Sequence, residues 1–324
     1  MKRKIISIVF LLVVIVLLIS VRCFKRPSEP ISRTGFYFDT VISVQLNDTR
    51  DEALLDGCFE LASKYENMLS KTVEGSDVYR MNTAGGATTE VSEETAYLLK
   101  EVIKYSKQYE GIFDVTIGAV TELWDFRNGT EIIPDEATIK EALKTVDYKN
   151  IVIEGNTVTL LNPDTKIDLG AMAKGYIADK MKEYLNASGC HEGIINLGGN
   201  VLTVGPKSSG ETYNVGIRKP FKDDGEISTS VKVIDKSVTT SGCTERYFIK
   251  DDRIYHHIIN PKTGYPFESD LYSVSIVSDS SLEGDVLGTI YYALGKEQAE
   301  KLIKENPDVN GIIITDTEEI ITID

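Results

Sequence analysis

The stretch Asp168–Tyr176 constrains the fold of this chain more than any other. It reads D-L-G-A-M-A-K-G-Y, follows a strand predicted at Thr157–Leu161, and opens a helix predicted to end at about Leu185. Gly170 permits a tight turn, and the free N–H groups of the helix N-terminus come together with the cation of Lys174. The segment therefore predicts either an anion site of the kind that binds phosphate, or a capped amphipathic helix whose lysine points into water.

The rest of the chain alternates between amphipathic helices and short strands. Helices are predicted at Ala53–Leu69, Ser92–Tyr109, Asp135–Thr145, Leu282–Leu294 and Lys296–Glu305. Further strands are predicted at Gly35–Leu46, Ile151–Ile153, Gly193–Asn196, Val201–Val204, Tyr213–Ile217, Thr229–Ile234, Arg246–Ile249, Tyr272–Ser278, Gly311–Thr315 and Glu319–Ile323. Antiparallel pairs with intervening helices predict an α+β fold, a single compact domain of mixed, largely antiparallel sheets with packed helices.

The N-terminus has the pattern of a membrane-targeting segment. Three basic residues precede the 17 uncharged residues Ile5–Val21, and three more follow within five positions. Seventeen residues lie at the lower limit for a membrane-spanning helix. We predict a signal-anchor or signal peptide over residues 1–22, a tether over 23–32 and one domain over 33–324, held at the membrane outside the cytoplasm. Lipid attachment at Cys23 is the alternative, although Arg22 is a poor neighbour for such a cleavage site.

Beyond residue 26 the chain is strongly acidic. It carries 29 basic against 50 acidic residues there, a net charge of −21. Such a surface repels nucleic acid, so no nucleic-acid partner is expected. A body of this charge would bind phosphates through backbone amides, one or two cations and a metal ion. The four cysteines are scattered without C-x-x-C or zinc spacing, so they predict no zinc site.

Three further stretches have both a functional and an ordinary structural interpretation. Phe113–Val120 reads F-D-V-T-I-G-A-V and could be a buried strand with a hydrogen-bonded Asp114. Asn196–Asn200, N-L-G-G-N, could expose bare backbone to a ligand or make a tight turn. Ser237–Phe248, S-V-T-T-S-G-C-T-E-R-Y-F, could hold pyrophosphate oxygens or form a polar hairpin.

Two C-terminal features carry groups suited to catalysis. His257 stands at a predicted strand end before N-P-K-T-G, where a histidine could serve as a base or be structural. Asp285 and Thr289 are four residues apart on a predicted helix and therefore face the same side. A carboxylate and a hydroxyl so placed could bind Mg²⁺, or simply hydrogen-bond to each other.

Taken together and in this order, these motifs resemble those of the ApbE-type FAD:protein FMN transferases. The matching stretches lie between Phe113 and Thr289 and read F-D-V-T-I-G, D-L-G-A-M-A-K-G-Y, N-L-G-G-N, T-S-G-C-T-E-R-Y-F, H-I-I-N-P-x-T-G and G-D-V-L-G-T. Weaker similarity at Gly35–Thr40 and Ser76–Asn82 extends the resemblance over nearly the whole predicted domain. The chain departs from the usual family residues at Phe38, Asp39, Val73, Asn200 and Asn260.

The resemblance implies a set of site residues. The carbonyl of Ala171 and the side chains of Asp285 and Thr289 match the Mg²⁺ ligands, and His257 matches a histidine implicated in accepting a proton. We count His257 and Asp285 as the catalytic pair. The residues expected to contact the flavin nucleotide are Phe38, Phe113, Asp114, Val115, Asp168, Lys174, Gly198, Gly199, Ser241, Gly242 and Ile259.

The implied reaction is the Mg²⁺-dependent transfer of FMN from FAD to a threonine or serine of a target flavoprotein, with release of AMP. The expected partner is a subunit of a membrane or extracellular redox system. The expected location is the bacterial cell membrane, reached through the N-terminal helix, with the catalytic domain extracytoplasmic. Two alternatives use nearly the same residues: an Mg²⁺-dependent FAD pyrophosphatase, in which water replaces the hydroxyl, and a surface protein that binds FAD without turnover.

Overall fold

The computed structural model describes residues 29–126, 130–222 and 225–324. The predicted membrane-targeting segment and most of the predicted tether lie outside these residues. No helix in the described ranges is both long and apolar enough to cross a membrane. The first strand begins at Ile31, so the last two residues of the predicted tether belong to a sheet.

An antiparallel sheet of eight strands is the largest element of the fold. From one edge to the other its strands are β1 (Ile31–Tyr37), β2 (Thr40–Leu46), β6 (Gly193–Leu197), β7 (Asn200–Val204), β10 (Ser237–Gly242), β13 (Leu271–Ser278), β14 (Asn310–Thr315) and β15 (Ile320–Ile323). A smaller sheet orders β3 (Thr89–Glu90), β5 (Thr157–Leu160) and β4 (Ile151–Glu154), and two hairpins join β8 (Tyr213–Arg218) to β9 (Ile227–Val233) and β11 (Tyr247–Lys250) to β12 (Arg253–His256). The predicted α+β fold with largely antiparallel sheets is confirmed.

Six of the eight described helices match predicted amphipathic segments, and the short helices Asp77–Thr83 and Gly118–Thr121 were not predicted. The eight helices are α1 (Glu52–Leu69), α2 (Asp77–Thr83), α3 (Glu93–Gln108), α4 (Gly118–Thr121), α5 (Glu136–Leu143), α6 (Ala173–Ala187), α7 (Ser281–Leu294) and α8 (Lys296–Glu305). Polar side chains begin several of them: the Ser92 hydroxyl accepts a hydrogen bond from the Thr95 N–H, and Asp135 caps α5 in the same way. The capping side chains fix the first residue of each helix, so α3 begins at Glu93 and α5 begins at Glu136.

Helices cover one face of the large sheet and a hairpin covers part of the other. Helix α7 packs on β10 and β13, α6 packs against α7, and α1 packs against α6. Alternate residues of β2, including Ile42 and Val44, are fully buried. This is expected because successive side chains of a strand point to opposite faces of the sheet. On the opposite face the β8–β9 hairpin places Ile217 against Val238 and Val277.

Three predicted elements differ from the structure. The predicted strand Gly35–Leu46 is a hairpin, because Phe38 and Asp39 take positive φ angles of 52° and 55° and reverse the chain. Phe113–Val120 is a turn followed by α4 rather than a buried strand, although Asp114 is indeed hydrogen-bonded, to the Thr116 N–H at 2.9 Å. The polar stretch Ser237–Gly242 is a central strand, β10, that pairs with β7 and β13 and is not an arm of a polar hairpin.

Candidate active site

A cavity of about 990 Å³ opens beside the start of α6, the end of α1 and the strand β10. It is lined by every site residue predicted above except Gly242, namely Phe38, Phe113, Asp114, Val115, Asp168, Ala171, Lys174, Gly198, Gly199, Ser241, His257, Ile259, Asp285 and Thr289. Gly242 has a different reason to be glycine. A Cβ there would lie 2.2 Å from the carbonyl oxygen of Tyr272 on the neighbouring strand, so the sheet itself excludes a side chain.

The start of α6 is held against the start of α7. Helix α6 begins at Ala173, five residues after Asp168, so Lys174 lies in its first turn. At Gly175 a Cβ would lie 2.3 Å from the carbonyl oxygen of Ser281, which shows that only glycine allows the two helices to approach this closely. The Gly175 N–H then donates a 2.8 Å hydrogen bond to the carboxylate of Asp285.

Two glycines of α7 place its functional side chains against the sheet. A Cβ at Gly284 would lie 2.6 Å from the Thr239 hydroxyl, and one at Gly288 would lie 2.9 Å from the Ser241 hydroxyl. Because these glycines let α7 lie close to β10, the Thr289 hydroxyl comes within 3.3 Å of the Ser241 hydroxyl. The spacing of G-D-V-L-G-T thus turns glycines to the sheet and leaves Asp285 and Thr289 to line the cavity.

Asp285 is a buried carboxylate without an ion-pair partner among the described residues. Burial raises its pKa, and the nearby Lys174 ammonium and the Gly175 N–H only partly oppose this. Lys174 likewise forms no ion pair with any described carboxylate. Asp285 and Lys174 therefore lie close enough to influence each other, and both remain available to a ligand in the cavity.

Ala171, Asp285 and Thr289, the three residues predicted to bind Mg²⁺, all line the cavity. A carboxylate, a hydroxyl and a main-chain carbonyl are chemically suited to a hard divalent cation. Mg²⁺ prefers such oxygen ligands and keeps several waters, so one charged ligand is sufficient when substrate phosphates share the ion. No cluster of three His, Cys, Asp or Glu side chains suited to a metal occurs within the described ranges, and this donor set contains only one such residue.

Asp168 is bonded far more fully than Asp285. One of its oxygens accepts hydrogen bonds from the Lys71 ammonium at 2.7 Å and the Thr121 hydroxyl at 2.9 Å, and the other accepts from the Gly170 N–H at 2.9 Å. Burial alone would raise the pKa of Asp168, but the Lys71 ammonium and these hydrogen bonds reverse the effect and lower it. Asp168 therefore holds the turn before α6 as a carboxylate.

Asn82 fixes the backbone directly before Asp168. Its Nδ2 donates to the Ile167 carbonyl at 2.9 Å, and its Oδ1 accepts from the Ile167 N–H at 2.7 Å. A side-chain amide that pairs with both main-chain groups of one residue imitates a strand partner. The turn carrying Asp168 is thus clamped from α2.

The two adjacent histidines have different surroundings. His256 donates from Nε2 to the Phe267 carbonyl at 3.0 Å and accepts the Ile258 N–H at Nδ1, and burial lowers its pKa to about 4. His257 lines the cavity, and its buried Nδ1 has no hydrogen-bond partner among the described residues. Burial, followed by the charges of Lys174 and Arg246, lowers the pKa of His257 to about 3. His257 is therefore neutral, with an unshared nitrogen, as a proton acceptor must be.

The double-glycine turn after β6 brings the backbone close to two polar side chains. Gly198 and Gly199 have φ angles of 63° and 97°, which favour glycine. A Cβ at Gly198 would lie 2.3 Å from the Thr40 hydroxyl, and one at Gly199 would lie 2.9 Å from the Arg218 guanidinium. Both glycines are therefore required by the turn as well as by the cavity.

Several cavity residues were not predicted from the sequence. The charged and polar ones are Lys71, Thr121, Arg218, Lys222 and Arg246, and the aromatic ones are Trp124, Phe126 and Phe221. Lys71 lies 97 residues before its partner Asp168, in a polar segment with no periodic pattern, so no local signal identifies it. Thr121 directly follows the predicted motif Phe113–Val120, and extending that motif by one residue would have included it.

An α+β domain whose cavity combines a helix N-terminus, an unpaired lysine and an oxygen-ligand pair has the features of an enzyme that handles nucleotide phosphates. The chain matches the model of the ApbE family over residues 38–313 and belongs to that family. This confirms the resemblance inferred from the motifs.

Individual relatives are similar over most of their length. The FAD:protein FMN transferase of Klebsiella pneumoniae (strain 342) is 34% identical over 276 residues, covering 84% of this chain and 85% of that protein. The enzyme of the same name from Treponema pallidum (strain Nichols) is 32% identical over 303 residues, covering 87% of this chain and 84% of that protein. The crystal structure of the ApbE protein of Thermotoga maritima superposes with a TM-score of 0.83 at 28% identity, covering 91% of this chain and 97% of that one.

Proposed function

We propose that this protein is an FAD:protein FMN transferase that uses Mg²⁺ and modifies a threonine or serine hydroxyl of a target flavoprotein. In this reaction the hydroxyl oxygen attacks the FMN-side phosphorus of FAD. The bond from that phosphorus to the bridging oxygen breaks, AMP leaves with that oxygen, and the hydroxyl proton passes to a base. The printed names of the relatives support the reaction class. The observation that carries it is the pair of unpaired charges, Lys174 and Asp285, in one cavity.

One set of residues would hold Mg²⁺, and a second set would bind the phosphate oxygens of FAD. Asp285, Thr289 and the Ala171 carbonyl would hold Mg²⁺, which supplies neutralisation of the phosphate charge when bound. Lys174 and the N–H groups at the start of α6 bind phosphate oxygens, which is the anion site predicted from the sequence. Phosphoryl transfer needs alignment and charge neutralisation more than covalent chemistry, so these groups suffice for most of the rate.

His257 is proposed as the base that accepts the hydroxyl proton. Its low pKa makes it a weak base in the free protein, because burial, Lys174 and Arg246 all disfavour the imidazolium. The phosphates of bound FAD carry negative charge that opposes these two cations. Substrate binding is therefore expected to raise the pKa of His257 towards the range where a histidine is an effective base.

The location remains a proposal that rests on the N-terminal sequence. The charged and apolar pattern of residues 1–22 supports anchoring at a bacterial cell membrane with the catalytic domain outside the cytoplasm. Protease treatment of intact cells tests it, because an extracytoplasmic domain would be digested and a cytoplasmic control protein would not. Removal of residues 1–28 should release the domain from the membrane fraction; retention there would contradict the proposal.

One assay separates the proposed function from its two alternatives. The protein is incubated with FAD, Mg²⁺ and a flavoprotein subunit, and both AMP release and the intact mass of the subunit are measured. Covalent gain of FMN together with AMP supports the transferase. AMP and free FMN without a mass change would identify a pyrophosphatase, and bound FAD without AMP would identify a binding protein. A sample with excess chelator tests the Mg²⁺ requirement.

A further inference from the structure

The eight-stranded sheet has two edges that differ in length and charge. The edge strand β15 has four residues and follows Glu318 and Glu319, which is how natural proteins protect a sheet edge. The opposite edge strand β1 has seven residues in unbroken register with β2, without proline. Its solvent-facing residues Ser32, Thr34 and Phe36 carry no charge. Within the described ranges, nothing pairs with the free side of β1.

The main-chain groups of these same residues point away from the sheet. The Gly198 N–H donates to the Val41 carbonyl at 3.0 Å, so the peptide groups of Val41 face β6 rather than β1. Phe36 is the register partner of Val41, and its own N–H and C=O therefore point to the free side. Because this orientation alternates along an antiparallel pair, Thr34 and Ser32 offer their main-chain groups to the same side.

An apolar pair lies at the cavity end of this edge. Phe36 is 67% exposed and Val41 is 57% exposed, and they stand directly opposite each other on the same face of the hairpin. Val41 and the turn that precedes it, Phe38 and Asp39, line the cavity. A chain laid along β1 would therefore cover the apolar pair and then reach the mouth of the cavity.

We propose that β1 is the docking edge for the segment of the target flavoprotein that carries the acceptor hydroxyl. The segment adds to β1 as an additional strand, with an apolar side chain over Phe36 and Val41, and its hydroxyl enters the cavity beyond Phe38. An extended segment is the occupant because the proposed function requires a protein hydroxyl to enter the cavity, and a single strand is the narrowest form of chain that can do so. This inference rests on the proposed function.

The first test uses the full-length protein, FAD, Mg²⁺ and a set of synthetic peptides of about ten residues, each with one central threonine. FMN transfer is read from peptide mass and AMP release. A peptide that accepts FMN is then remade with a single N-methyl group at each position in turn. Each N-methyl that blocks a hydrogen bond to β1 should lower kcat/KM about five- to tenfold. Since only alternate residues of an added strand face β1, the losses should recur at every second position.

Two enzyme variants provide an independent test. Phe36→Asp should lower kcat/KM for the peptide about tenfold or more without changing FAD affinity, because it places a charge on the docking edge. Ile320→Asp on β15 is the matched control, since Ile320 is 42% exposed on the opposite edge of the same sheet, and it should have no effect. Thr34→Pro removes one outward N–H at an edge position where proline is tolerated, and should also lower kcat/KM.

The outcomes separate the docking proposal from the proposed function. Transfer that is insensitive to N-methylation and to Phe36→Asp would overturn docking at β1 and leave the transferase intact. Docking at β1 would also be overturned if the enzyme labelled an intact flavoprotein but none of the peptides. The same holds if Phe36→Asp changed only the self-association of the enzyme and not its kcat/KM. Release of AMP and free FMN, with no labelled peptide or protein, would instead overturn the proposed function.

Discussion

Two carboxylates line the same cavity, and their surroundings are opposite. Asp168 accepts hydrogen bonds from Lys71, Thr121 and the Gly170 N–H, and its pKa is lowered. Asp285 accepts a hydrogen bond from the Gly175 N–H and forms no ion pair with a described cation, and its pKa is raised by burial. Both belong to the motifs that define the site, yet only one of them has its charge balanced by the protein.

The difference assigns the two carboxylates to different tasks. A buried charge is costly unless it is paired, so a fold that leaves one unpaired retains it for a reason other than stability. The Asp168 cluster is complete without a ligand and fixes the turn before α6. The Asp285 cluster lacks a positive partner, and a divalent cation would supply one. The comparison predicts that changes at Asp168 mainly affect stability and changes at Asp285 mainly affect activity.

The largest effect is expected for Asp285→Asn. The amide can still accept the Gly175 N–H but cannot supply the charge, so FMN transfer should fall about 10³-fold or more. The metal-free variant should unfold at the same temperature as the wild type or a higher one, because an unpaired buried charge has been removed. Initial rates of AMP release across a range of Mg²⁺ concentrations and thermal unfolding measure both. Near wild-type activity at limiting Mg²⁺ would show that the metal site is wrong.

The next effect concerns His257, which lies in the electrostatic field of Lys174 as well as of Asp168. His257→Ala should lower kcat by about 10²–10⁴-fold while FAD affinity changes little, because the ring is proposed to accept a proton rather than to bind the nucleotide. FAD titration and single-turnover rates separate the two quantities. His256→Gln is the control, since His256 is buried, is hydrogen-bonded to Phe267 and Ile258, and is not among the residues that line the cavity. Equal losses of binding and rate at His257 would make it a packing residue.

The sequence identified the Asp285 side of this comparison better than the Asp168 side. Asp285 and Thr289 are four residues apart on one helix, so local spacing was enough to bring them together. The charge balance of Asp168 depends on Lys71, which a tertiary contact brings from 97 residues away. A single sequence contains no periodic signal for such a pair. Local spacing was therefore enough to predict that Asp285 and Thr289 lie together, but not which carboxylate the fold neutralises.

The errors in the predicted fold have similar physical causes. Helices with a clear apolar face, such as α1 and α8, were predicted to within one residue. Strand β10 was missed because its buried positions include the hydroxyl residues Ser237 and Thr239, and Thr239 and Ser241 lie directly under Gly284 and Gly288 of α7. The hairpin between β1 and β2 was missed because Phe38 and Asp39 form its turn without glycine. Packing overrode the usual residue preferences at each of these positions.

Lys71→Met should remove the ammonium group that balances the charge of Asp168. Asp168 would lose its cation, and the free energy of unfolding at pH 7 should fall by about 1–3 kcal/mol, less than for a fully buried pair because both side chains are 19% exposed. The lowered pKa of Asp168 stabilises the fold above the pKa of the unfolded state, and that stability is lost as pH falls through the lower folded value. In the variant the pKa of Asp168 is less depressed, so the stability lost on acidification should be smaller and the acid limb shallower. Denaturant unfolding across pH 3–7 measures it, and Lys71→Met with Asp168→Asn should recover part of the loss. An unchanged acid limb would contradict the pairing.

The smallest effects are expected from two isosteric changes, one beside Asp168 and one beside Asp285. Thr121→Val removes one hydrogen bond from Asp168 but leaves Lys71, so the free energy of unfolding should fall by about 1 kcal/mol with little change in activity. Thr289→Val removes the hydrogen bonds of that hydroxyl to Ser241 and to the Asp285 carbonyl, so it should cost a similar free energy of unfolding, but it should also raise the Mg²⁺ concentration for half-maximal activity about tenfold. Each variant serves as the other's control for the loss of a threonine hydroxyl. Unfolding curves and Mg²⁺ titrations of both variants decide the matter, because equal effects of the two on both measurements would show that the carboxylates are not specialised.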